Sequence, residues 1–209
     1  MKLYYSPGSC SLSPRIALHE AGIAHEGVLA STRTKKLPDG TDFLTINPRG
    51  QVPVLQLDDG QILTEGPAIV QYIADLAPAS HLAPPAGTLA RYRLMEWLNF
   101  ITTELHKNFV PLFAPGWPDE AKTIARAKAM ERFAWVDTQL AGHDWLLSAQ
   151  GHDHFTVADG YLFTVNRWCP YAGLDTTGLK HLTAHSERTA ARPAVHAAMV
   201  AEGILKPKA

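Results

Sequence analysis

The rhythm of apolar and polar positions changes once along this chain, and the change divides it. Over the first eighty residues short β-prone runs alternate with helical ones. Lys2 to Tyr5 is a brief strand-like run stopped by Ser6-Pro7-Gly8, residues that punctuate regular structure. Ser11 to Ala21 carries Leu12, Ile16, Ala17 and Leu18 mostly on one face, with Pro14 in its first turn and Gly22 past its end. That pattern predicts a helix. Glu26 to Ala30 predicts a second strand and Val52 to Leu57 a third, after the turn Asn47-Pro48-Arg49-Gly50. Asp58-Asp59-Gly60 is a hairpin turn into a fourth strand, Gln61 to Leu63. Helical spacing resumes at Glu65 and runs through Ile69, Val70, Tyr72, Ile73 and Leu76. The order βαβ, β-hairpin, helix predicts a small mixed sheet with helices on it.

Pro78 to Gly87 is proline-rich and reads as a linker. Beyond it no strand pattern recurs. Thr88 to Phe113 predicts one long amphipathic helix with Leu94, Leu98, Ile101, Leu105, Phe109 and Leu112 as its stripe, closed by Pro111 and Pro115. Glu120 to Leu140 predicts another. Phe155-Thr156-Val157-Ala158-Asp159 opens a third, and Leu179 to Ala191 and Ala194 to Glu202 supply two more. The expected fold class is α/β plus all-α: a sheet domain over residues 1–80, a linker over 81–87 and an all-helical domain over 88–209.

Composition narrows the function classes. Apolar residues make up 46% and charged residues 19% of the 209, with a net charge of −1. Such a chain folds as an ordinary globular protein. Neither a basic excess nor a basic stripe is present, so no nucleic-acid partner is expected. Pro7-Gly8 breaks the N-terminus before any stretch of secretory length. No segment approaches the ~18 consecutive apolar residues of a membrane span. Cys10 and Cys169 are too few and too far apart for a disulfide framework or a zinc site. A reducing, cytoplasmic setting is expected, and no metal.

The chemistry begins at Cys10, which follows a strand and a Pro-Gly turn and falls in the first turn of the next helix. Unpaired N–H groups and the positive end of the helix dipole meet there. A thiol so placed ionises more readily than an ordinary one near ~8.5; the plain alternative is a small buried residue. Cys10-Ser11-Leu12-Ser13 is a CxxS. It lacks the second cysteine that resolves a mixed disulfide, so an external thiol must take that part. In Gly50-Gln51-Val52-Pro53, Pro53 has no N–H to give. Were the Val52–Pro53 bond cis, the Val52 backbone could pair with an extended peptide like an added strand. At Thr64-Glu65-Gly66-Pro67 a helix starts. N–H groups at Gly66 can hold a carboxylate and Glu65 an ammonium, though Glu65 can equally serve to offset the helix dipole.

Taken together, Tyr5-Ser6-Pro7-Gly8-Ser9-Cys10-Ser11-Leu12, Asn47-Pro48-Arg49-Gly50-Gln51-Val52-Pro53 and Leu63-Thr64-Glu65-Gly66-Pro67-Ala68-Ile69 resemble cytosolic glutathione transferases, and among them the bacterial beta class. The resemblance continues through Glu96-Trp97-Leu98-Asn99-Phe100, Thr103-Glu104-Leu105-His106-Lys107 and Phe155 to Asp159, nearly the whole chain. It implies a thioredoxin-like first domain that binds glutathione, a helical second domain that helps bind the acceptor, and a homodimer. By position it sets Cys10 and His106 near the glutathione sulfur and Val52, beside a cis Pro53, along the cysteinyl backbone. Glu65 and Gly66 take the γ-glutamyl end and Lys35 the glycyl carboxylate. Asn99, Thr103 and Glu104 border the site. Gly66 stands where many transferases have serine, so a hydroxyl contact is absent.

Glutathione carries two carboxylates and one ammonium, and these residues match them in charge. Asn99, Thr103 and His106 have the spacings of one helix face. Thr156 and Asp159 form an S/T-x-x-D capping box, a folding element, with Phe155 as the start of a hydrophobic staple whose usual partner position is Gly160. Tyr5, Ser9 and Ser11 rank lower as thiolate partners, since Tyr5 suits a strand and a serine suits a helix cap. Cys169, between Trp168 and Pro170, is expected in a helix and in the core. His143, His152 and His154 share a loop without metal-site spacing. Phe109, Phe113, Trp117, Tyr161 and Trp168 either line an acceptor pocket or fill core. The expected function is activation of the glutathione thiol and its conjugation to an apolar electrophilic small molecule. The rivals are thiol–disulfide exchange or reductive dehalogenation through a Cys10 mixed disulfide, and non-catalytic binding of apolar ligands.

Overall fold

The computed structural model describes residues 1–206, which fall into two compact units. The first is Met1–Ala83 with the described residues from Ala191 onward; the second is Pro84–Ala190. Residues 207–209, assigned above to the helical domain, lie outside the described residues. In chain order the strands are β1 (Lys2–Tyr5), β2 (Glu26–Leu29), β3 (Val54–Gln56) and β4 (Ile62–Thr64). The helices are α1 (Leu12–Glu20), α2 (Gly66–Leu76), α3 (Leu89–Phe100), α4 (Val110–Phe113), α5 (Asp119–Gln139), α6 (Val157–Asn166), α7 (Lys180–Ala191) and α8 (Pro193–Ala201).

The first unit is built on a four-stranded sheet of order β2-β1-β3-β4. β1 runs parallel to β2 and antiparallel to β3, so Leu3 stands between Gly27 and Leu55. The parallel pair needs a crossover, and α1 provides it. Leu3 and Tyr4 are both buried, which suits a central strand covered on both faces. β3 begins at Val54 rather than Val52 because Pro53 cannot donate to the ladder. α1 packs against α2 and α8. An apolar cluster joins Tyr4 of β1 and Val54 of β3 to Ala30, Phe43 and Val52 of the connection between β2 and β3.

α8 is tied to α1 by charge as well as by apolar contact. Arg192 grips Glu20 through two nitrogens, at 2.6 and 2.8 Å. Glu202, just past α8, is buried with Arg15 of α1: Oε1 lies 3.3 Å from Nε, close enough for an ion pair though not aligned as a hydrogen bond. The Arg15 guanidinium also covers the Tyr5 ring at 3.9 Å. A side chain at residue 27 would meet that guanidinium at 2.5 Å, which explains Gly27 in the middle of β2.

In the second unit the segment read as one helix over Thr88–Phe113 is broken. α3 ends at Phe100, a π-helical turn spans Ile101–Leu105, a 3₁₀ turn spans His106–Phe109, and α4 follows. The predicted stripe is nevertheless buried from Leu94 through Leu98, Ile101 and Leu105 to Phe109, and only its last member, Leu112, is half-buried. Apolar spacing therefore reports which side chains face inward, while the hydrogen-bond ladder slips by one residue, with the His106 N–H reaching the Ile101 carbonyl. Asp137 of α5 accepts from the His181 and Leu182 N–H groups, each at 2.8 Å, and so caps the start of α7. Cys169 lies in a turn after α6 rather than within a helix. It is fully buried, and burial pushes its thiol up to about 12, so it is inert.

Candidate functional site

Cys10 is presented by a turn that leads into α1, not by the first turn of the helix itself. The Leu12 N–H bonds the Ser9 carbonyl and the Ser13 N–H the Cys10 carbonyl, a 3₁₀-like entry ahead of the regular ladder. Ser11 occupies the N-cap position but does not cap. Its buried hydroxyl instead takes the Ser6 N–H at 3.1 Å, reaches the Ser6 carbonyl at 3.2 Å and meets the Ser9 hydroxyl at 2.8 Å. The serines thus brace the loop from Ser6 to Ser11 from within. Gly8 supplies its positive φ of 69°, and its N–H donates to Glu202 at 2.9 Å. The Cys10 thiol donates to the Val52 carbonyl at 3.3 Å, and the Val52–Pro53 bond is cis.

The other sequence-selected residues of the first unit lie in the connection between β2 and β3 and at the start of α2. Lys35 adopts a left-handed φ of 57° and donates from Nζ to the Gly50 carbonyl at 2.8 Å. A Cβ on Gly50 would come within 2.9 Å of both the Lys35 and Leu44 side chains, so glycine is what lets the lysine lie there. Gly66 abuts Pro53: an added Cβ would meet only the proline ring, at 3.8 Å. Glu65 precedes α2 with φ 67° and ψ 115°, a backbone conformation rare for a residue with a side chain and common at functional sites. Its carboxylate accepts from Arg49 at 2.7 Å, and Arg49 also donates to the Thr64 hydroxyl at 2.9 Å. Arg49 was not singled out in the sequence. Its only signal there was opposite charge sixteen residues away, which does not identify a contact.

The remaining sequence-selected residues belong to the second unit. Asn99 and Thr103 are exposed; Glu104 and His106 are half-buried. The π-helical turn between them alters the simple spacing that put Asn99, Thr103 and His106 on one face. Thr103 turns its hydroxyl back to the Asn99 carbonyl at 3.1 Å, and Glu104 pairs with Arg132 of α5 at 2.9 Å. The His106 Nδ1 is 2.7 Å from the Tyr161 hydroxyl, and its ring meets Trp168 edge-on at a centroid distance of 4.8 Å. Phe109 and Tyr161 are core, whereas Phe113 and Trp117 are 49% and 44% exposed. Phe113 stacks on Phe109 at 5.6 Å.

Thr156 and Asp159 form a capping box that starts α6. Asp159 goes further, accepting from the Leu146 N–H and from His185 of α7, both at 2.9 Å. His185 is fully buried and was invisible in the sequence, one histidine of ten. Phe155 packs edge-on against Trp145 at 5.3 Å, so the staple position opposite Gly160 is replaced by an aromatic contact. His152 and His154 lie edge to face at 5.3 Å. Among the described residues no group of three or more His, Cys, Asp or Glu could hold a metal ion, and no helix is long and apolar enough to cross a membrane.

Comparison with known proteins places nearly all of the chain beside one family. Residues 8–76 match the family model of the glutathione S-transferase N-terminal domain, and residues 100–193 that of its C-terminal domain. Glutathione S-transferase GstA of Escherichia coli O157:H7 is 45% identical over 98% of this chain and 100% of its own. A bacterial beta class glutathione S-transferase of Sphingomonas chungbukensis superimposes with a TM-score of 0.93 at 46% identity, covering 98% of this chain and 100% of that one. A sphingomonad glutathione S-transferase solved in complex with glutathione does so with a TM-score of 0.93 at 48% identity and the same coverage.

Proposed function

This chain belongs to the glutathione S-transferase family, and we propose that it binds glutathione in its first unit, activates the thiol, and conjugates it to electrophilic small molecules. The reading is that of a bacterial beta class transferase. The observation that carries it is the Cys10 thiol on the Val52 carbonyl at 3.3 Å, which joins the turn before α1 to the segment carrying Lys35, Pro53 and Gly66 as neighbours. One tripeptide spans such a cluster: its sulfur at Cys10, its cysteinyl backbone along Val52, its γ-glutamyl end at Glu65 and the start of α2, its glycyl carboxylate at Lys35.

Charge complementarity supports each end. The first-turn N–H groups of α2 suit a carboxylate. Glu65 suits the ammonium, with Arg49 holding its carboxylate in place. In the reaction the glutathione thiol gives its proton to solvent and the thiolate attacks an electrophilic carbon. A carbon–sulfur bond forms, and any leaving group departs with its electron pair. His106 is the second-unit residue proposed to address that sulfur, with Asn99, Thr103 and Glu104 at the border of the site. Hydrogen bonds to a developing or standing thiolate lower the barrier by stabilising its charge. The homodimer is supported by α3, on which Leu89, Tyr92 and Met95 are exposed at three-residue spacing. A cytoplasmic, reducing setting fits two cysteines that are not in a disulfide.

Titration calorimetry with glutathione, followed by a panel of aromatic and aliphatic electrophiles, tests the proposal. Binding with product formation on some member of the panel is expected. Absence of glutathione binding would overturn it.

A further inference from the structure

We infer that Tyr161 is a positioning residue for His106: its hydroxyl donates to Nδ1 and thereby fixes the imidazole in the tautomer that carries its proton on Nε2. The inference rests on the proposed role of His106 at the glutathione sulfur, but its structural content stands apart from activity. Tyr161 belongs to α6 and is only 4% exposed, and its oxygen lies 2.7 Å from Nδ1. That is a full-strength hydrogen bond, and two arrangements satisfy it: O–H to ring nitrogen, or ring N–H to oxygen.

The chemistry chooses between them. A phenol ionises near 10, and a neutral imidazole nitrogen is a far better base than a phenol oxygen, so O–H···N is the stronger pairing. The neighbouring hydroxyl does not compete. Thr102 commits its proton to the Leu98 carbonyl at 2.8 Å and is 3.5 Å from the Tyr161 oxygen, beyond a normal O–H···O contact. Nε2 is then the N–H of the neutral ring, and a donor to an anion, without the imidazole having to be protonated. The nitrogen opposite a fixed hydrogen bond is the one whose state that bond sets.

Both partners are held. α6 starts at a capping box whose Asp159 is locked by Leu146 and His185. His106 follows the π-helical turn, which turns its side chain away from where an unbroken α-helix would carry it. Trp168 buttresses the ring edge-on. Single π-turns inside helices recur at functional sites, and here the turn accompanies the contact that orients an imidazole.

Long-range proton–nitrogen correlation spectra of histidine-labelled protein, above the pH at which His106 is protonated, test this directly, with His106→Gln identifying the resonance. The wild-type ring should be the Nε2–H tautomer, and Tyr161→Phe, which keeps the packing ring, should move its Nδ1 resonance toward that of a nitrogen without a hydrogen bond. A wild-type Nδ1–H tautomer, or an Nδ1 resonance that Tyr161→Phe leaves unmoved, would overturn the inference. Kinetics give a second reading. Tyr161→Phe should lower kcat about tenfold, the weight of one hydrogen bond, with KM for glutathione nearly unchanged. The same substitution should have no further effect when His106 is Gln; additive losses in the double variant would mean that Tyr161 acts by another route. If glutathione does not bind at all, the proposed function fails while the tautomer still decides this inference.

Discussion

At the scale of single residues the sheet unit holds both groups that brace the fold and groups proposed to meet glutathione. Lys35 reaches the Gly50 carbonyl from a left-handed backbone, an arrangement that favours function over local comfort. Lys35→Ala is expected to raise KM for glutathione about tenfold, the worth of one charge-assisted hydrogen bond. Glutathione amidated at its glycyl end should lose the same factor on the wild type and nothing more on the variant. Gly66→Ser should go the other way. An added Cβ meets only Pro53 at ordinary van der Waals distance, and the hydroxyl adds a donor for the γ-glutamyl carboxylate. A several-fold lower dissociation constant for glutathione, read by calorimetry, is expected. The sequence brings these residues forward through the family resemblance, which assigns each to one end of glutathione. It did not carry Arg49, whose contact with Glu65 depends on how a turn and a helix start come together.

At the scale of elements, hydrophobic period reported burial and missed the hydrogen-bond ladder. The stripe from Leu94 to Phe109 is buried as expected, yet the helix beneath it changes type at Ile101 and again at His106. Nothing in Ile-Thr-Thr-Glu-Leu marks a π-turn, because the slip is set by what the segment packs against. The start of α6 was legible, since a capping box is a local motif; its buried extension to His185 was not, since it is a tertiary contact. Asp159→Ala leaves the Leu146 N–H, the Thr156 N–H and His185 without their acceptor. A loss of about 3–5 kcal/mol is expected from removing one side of a buried charged network, measurable by urea unfolding.

The end of α1 and the segment before β2 make the fold sensitive to acid. His19 and His25 lie edge to face at 5.4 Å. Partial burial lowers the His19 pKa first, with the His25 and Arg15 charges adding to it; burial likewise lowers His25, against a hydrogen bond to the Ile23 carbonyl that raises it. Both native values lie below the ordinary 6.5, so the unfolded chain binds more protons than the native one between them. This contribution is intact above 6.5 and is lost as pH falls through that window. Urea midpoints should therefore drop as pH falls below 6.5, and His19→Gln should flatten the drop.

At the scale of the whole molecule, the far end of the chain belongs with its beginning. α8 returns to α1, and Glu202 both pairs with Arg15 and holds the Gly8 N–H in the loop that presents Cys10. Local pattern predicts a helix there, but no periodicity says which surface it covers. Glu202→Ala strands a buried guanidinium and is expected to cost about 3–5 kcal/mol. Glu202→Gln, which keeps an acceptor for Gly8, should cost less and leave the loop in place.

The central claim is that this chain binds glutathione as a stabilised thiolate, with Cys10 and His106 as the groups that stabilise it. The ultraviolet absorbance of enzyme-bound glutathione thiolate, followed against pH, tests it most directly. On the wild type the bound thiol should ionise at clearly lower pH than free glutathione, and the shift should shrink in Cys10→Ala and in His106→Gln. Bound glutathione that titrates as it does in free solution would contradict the account.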